Sequence, residues 1–65
     1  MLNAYQVTLK GPEGQTFEHK CVSPKPEYAA MGARRQVYDK HKVKAEVTQV
    51  EYLGTPSEVF PGYSY

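Results

Sequence analysis

Apolar and polar residues alternate from Leu2 to Lys10, with Tyr5, Val7 and Leu9 in one phase and Gln6, Thr8 and Lys10 in the other. A period of two predicts a half-buried β-strand. The run stops at Gly11-Pro12-Glu13-Gly14. Proline there presets φ for the second position of a tight turn, and glycine tolerates positive φ at its end. Alternation resumes from Gln15 to Val22, placing Phe17, His19 and Cys21 on one face and Thr16, Glu18 and Lys20 on the other. Two such runs around a short turn predict a β-hairpin.

The period then changes. In Ser23-Pro24-Lys25-Pro26-Glu27 the residue before each proline is pushed out of the helical region. Pro26 suits the first helical position, where its missing N–H costs nothing, and Glu27 complements the helix dipole. A helix is predicted from Pro26 to about Lys40, with Ala30, Ala33 and Val37 as its inward stripe, flanked by Ala29 and Tyr38. Small residues on that stripe let the helix lie close to a sheet. Gly32 falls on the wet side. A third strand is predicted from Ala45 to Leu53, where Val50 and Tyr52 keep one phase and Val47 breaks it. Either a bulge shifts the phase or Val47 packs at an edge. After Gly54, residues 55–65 mix Pro56, Pro61, Gly62 and two serines with Phe60, Tyr63 and Tyr65. They read as a tail without regular structure.

Strand, strand, helix, strand implies an α+β fold of ββαβ type. The helix returns the third strand beside the first, giving a three-stranded antiparallel sheet of order 2-1-3 with the helix on one face. Residues 1–54 form a single domain, followed by the 55–65 tail. The chain has 65 residues, 40% of them apolar, which fits one small domain and not a disordered chain. One cysteine excludes a disulfide scaffold and fits a reducing, cytoplasmic setting. No stretch approaches the roughly 20 apolar residues of a membrane span, and the N-terminus does not read as a signal peptide.

Net charge is +1, but it is unevenly placed. Residues 1–33 balance to zero; 34–44 hold Arg34, Arg35, Lys40, Lys42 and Lys44 against Asp39, a local +4; 45–65 hold three glutamates and no cation. A basic helix end and loop of this kind attracts phosphate backbones. The same residues also describe a solvated helix end whose cations complement the dipole. His41, within Lys40-His41-Lys42, could contact a base or phosphate, or cap the helix by satisfying a carbonyl. His19, Cys21 and His41 are too scattered for a metal site. No glycine-rich phosphate loop is present, and the Cys21/His19 pair on one strand face has no orienting group or oxyanion site beside it. No cofactor, no metal and no catalysis are therefore expected. Tyr5, Tyr38 and Tyr52 are expected in the core or at its edge, whereas Tyr28, Phe60, Tyr63 and Tyr65 are candidates for a protein-interaction surface.

The stretch Lys25-Pro26-Glu27-Tyr28-Ala29-Ala30, then Val37, then His41-Lys42-Val43-Lys44, resembles the archaeal LX-type large-subunit ribosomal proteins, over roughly residues 2 to 53. The resemblance implies a basic loop lying against ribosomal RNA, which would fall on His41, Lys42 and Lys44 with Arg34 and Arg35 nearby. Two functions follow as expectations. One is a small non-catalytic nucleic-acid-binding module, for RNA rather than DNA, acting through Arg34, Arg35, Lys40, His41, Lys42 and Lys44. The other is a phage-encoded or accessory module that docks on a host protein through exposed tyrosines, a sheet edge or the tail. In either case a monomer or weak homodimer, with no membrane contact, is expected.

Overall fold

The turn at Gly11–Gln15 sets the register of everything that follows. Gly14 N–H donates to the Gly11 carbonyl at 3.1 Å, and Gly11 N–H donates to the Gln15 carbonyl at 2.8 Å. This is a type I turn over Pro12 and Glu13, closed by Gly14 at φ +86°, the left-handed position that glycine takes without strain. In the computed structural model, which describes residues 1–62, the turn joins β1 (Asn3–Lys10) to β2 (Thr16–Ser23) in antiparallel register, with Tyr5 opposite Cys21 and Leu9 opposite Phe17.

β2 hands over to the helix through a buried serine. Ser23 Oγ donates to the Lys25 carbonyl at 2.9 Å and accepts from Lys25 N–H at 3.4 Å. The buried hydroxyl is thus satisfied, and the chain is turned into α1 (Pro26–His41), with Pro26 in its first turn. α1 buries Ala29, Ala33 and Val37. The inward row therefore runs at spacings of four, and Ala30, expected in it, is half-buried beside it. Helix and strands meet around Tyr5, Val7, Leu9, Ala29, Ala33, Val37 and Ala45, with Phe17, Cys21, Val43, Val47 and Val50 at the margin.

β3 (Glu46–Gly54) pairs antiparallel with β1, so the sheet order is β2-β1-β3. The broken alternation has its cause here. Thr8 pairs with Gln49 and Leu9 with Val47, which leaves Thr48 as the extra residue of a bulge. Thr48 Oγ1 donates to the Thr8 carbonyl at 3.2 Å. The bulge returns Val47 to the inner face opposite Leu9, in phase with Val50 and Tyr52. A second register shift lies between Ala4 and Tyr5.

The tail departs from expectation. Residues 55–65 were expected without regular structure, yet α2 (Pro56–Val59) forms one helical turn and packs against β1 and β3. Pro56 is buried, and Phe60, whose N–H donates to the Pro56 carbonyl at 2.8 Å, is half-buried. Alternation puts Ala4 on the face opposite Tyr5, outside the main core, and it is still 0% exposed. Its ladder partner Gly54 lies two residues before Pro56, so α2 supplies the cover at that end. Tyr63 and Tyr65 lie outside the described residues.

Candidate functional site

The second half of α1 and the segment leading into β3 carry the positive charge. Positions 31, 34, 35 and 38 lie on one flank of a helix by their three- and four-residue spacing. Met31, Arg34, Arg35 and Tyr38 line a shallow groove of about 470 Å³ with Lys44 and Ala45. Among the described residues, no carboxylate lines it. Ala45 is buried, so the exposed Lys44 before it joins this lining from an anchored backbone. Tyr38 was expected near the core, but it is 47% exposed and lines this groove. Lys44 also lines a neighbouring recess of about 290 Å³ with Lys10 and Glu46.

Lys40 and His41 belong to a different surface. They line a groove of about 450 Å³ on the β2 side, with Phe17, His19, Gln36 and Glu18. The His41 ring packs on Phe17, centroids 4.8 Å apart and tilted by 40°. Nor does His41 cap the helix: Lys42 N–H donates to the Tyr38 carbonyl at 2.8 Å. Lys42 holds the left-handed position that ends α1, at φ 59° and ψ 31°. Glycine takes that conformation most cheaply. Lys42→Gly should therefore raise stability by about 1 kcal/mol, read as a higher urea midpoint with unchanged slope; no gain would mean that the cap carries no strain.

The six expected cationic and histidine residues thus divide. Arg34, Arg35 and Lys44 converge on one groove, Lys40 and His41 on another that includes Glu18, and Lys42 occupies the turn at the helix end. Tyr38 and Met31 were missed as groove residues. Their helical spacing from Arg34 and Arg35 was the available signal, but it could not say which flank faces the loop before β3.

Of the interaction candidates, Tyr28 and Phe60 fall among the described residues. Tyr28 is exposed near the start of α1, with Lys25 Nζ 6.0 Å from its ring centroid, whereas Phe60, at the end of α2, is half-buried. Tyr52, also expected near the core, is 60% exposed and meets the buried Tyr5 edge-on at 6.0 Å. Cys21 is half-buried, and desolvation pushes its thiol pKa up, which keeps it protonated and slows its reactions. Among the described residues no three His, Cys, Asp or Glu side chains cluster for a metal, and no helix is long and apolar enough to cross a membrane. No family model, curated protein or solved structure matches this chain.

Proposed function

We propose that this chain is a small non-catalytic nucleic-acid-binding module that prefers single-stranded or looped RNA. The observation that carries this reading is the groove that Arg34, Arg35, Lys44 and the exposed Tyr38 line together, with no carboxylate among the described residues of its lining. Cations attract phosphates, and an exposed aromatic ring offers a stacking surface to an unpaired base. Duplex DNA offers no splayed base for Tyr38, which favours RNA loops. The resemblance to LX-type ribosomal proteins implies an RNA-facing loop at His41, Lys42 and Lys44, with Arg34 and Arg35 nearby. Of these, Arg34, Arg35 and Lys44 are the phosphate contacts of this reading, and Lys42 adds long-range attraction from the helix end.

Three or four phosphate contacts to a single strand give a modest, salt-sensitive affinity. Fluorescence anisotropy with a labelled single-stranded RNA should show Kd weakening by about twenty- to fifty-fold between about 50 and 200 mM salt. Absence of binding at the lower salt overturns the reading.

A second reading rests on Met31, 64% exposed beside Tyr38. An apolar side chain adds little to phosphate binding but suits a protein partner. In that case the chain is an accessory module, of the kind a phage encodes, that docks on a host protein along the same flank of α1.

A further inference from the structure

Among the described residues, both outer strands of the sheet present an unpaired edge, but the two edges differ. β3 has two register shifts, and its only charges are Glu46 and Glu51. Pairing β3 with a second β3 opposes no carboxylate with a cation. β2 pairs with β1 without a shift and has no proline inside it. Its backbone direction follows from the turn. Gly11 and Gln15 are hydrogen-bonded, so in an antiparallel ladder Phe17, His19 and Cys21 aim their N–H and C=O groups at β1. Thr16, Glu18, Lys20 and Val22 then aim theirs outward, unpaired.

We propose that β2 is the contact edge of a two-fold homodimer, antiparallel to its copy and centred on His19. This register puts Glu18 of each copy directly opposite Lys20 of the other. Their outward backbone groups make the hydrogen-bonded pairs, and opposite charges facing one another on a sheet attract. On the other face, Phe17 lies opposite Cys21 of the second copy. Both are half-buried in one chain alone, so the seam extends the apolar row of the core across the axis. Both helices stay on the same side of a continuous six-stranded sheet. The arginine-lined groove lies on the opposite flank of α1 and remains open, so the dimer does not depend on what that groove binds.

An eight-residue edge buries less than the roughly 1,600 Å² of a standard interface, so the dimer is weak and forms at high concentration. The test is sedimentation equilibrium up to about 1 mM on the native chain, on Glu18→Lys, on Lys20→Glu and on an equimolar mixture of the two variants. Both side chains are exposed, and circular dichroism checks that each variant folds. The native chain should dimerise. Each single variant turns two attractive pairs into two repulsive ones and should weaken association by about ten-fold or more. The mixture restores complementarity at both positions and should form a heterodimer with native-like affinity. A native chain that stays monomeric, a dimer indifferent to either substitution, or a mixture that does not associate overturns the proposal.

Discussion

Leu9→Ala is expected to cost about 2–5 kcal/mol, a large share of the stability of a chain this size. Leu9 is 0% exposed on the central strand, between Phe17 on β2 and Val47 on β3 and beneath α1. The inward row of α1 consists of two alanines and a valine, so no long side chain above can swing into the space that Leu9 leaves. A site that cannot collapse keeps its cavity and takes the upper part of the range. A domain of this length has a total stability of about 3–10 kcal/mol. Urea unfolding of the variant should therefore begin in dilute denaturant or show no native baseline. The same change at half-buried Val50 should cost clearly less. Equal losses at the two positions would mean that the core is not centred on β1.

Reversing both arginines, Arg34→Glu with Arg35→Glu, should weaken RNA binding by about a hundred-fold or more at low salt. The change removes two phosphate contacts and puts repulsion in their place. The salt slope should fall by about 1.4, the share of two contacts to a single strand. Both side chains are exposed, so stability should move by no more than about 0.5 kcal/mol. The control is Lys20→Glu with Lys25→Glu, which changes net charge equally but leaves the groove intact. If the control loses as much affinity, attraction comes from overall charge and the groove is not the contact.

The hairpin and α1 are legible in the sequence because each is written in residues close together in the chain. Tyr5, Val7 and Leu9 alternate cleanly, Gly11–Gly14 encodes the turn, and Pro26 marks the helix start. Even the misfit of Val47 signals the bulge that Thr48 forms. What escapes the pattern depends on how elements lie against each other. Rotating α1 slightly puts Ala29 inside and Ala30 beside the core, and it leaves Tyr38 in solvent. Tyr52 is inward by alternation yet exposed, because β3 is an edge strand. α2 is hidden by its own composition: proline and serine punctuate loops as readily as they start a short helix. The local +4 charge is visible in the sequence, but its division between two flanks of α1 is a property of three dimensions.

The sheet's middle strand is also the first strand in the chain, and this makes its two sides unequal. Joining β1 to β2 closes a loop of residues 11–15, whereas joining it to β3 closes a loop of residues 11–45. For a flexible chain the larger closure costs about 2 kcal/mol more in entropy. Sixteen of those residues lie in α1, which as a rod spans about 24 Å. A helix already docked on the hairpin brings Ala45 back within reach of Lys10, so the second half of the ladder can zip from there instead of searching across a slack chain.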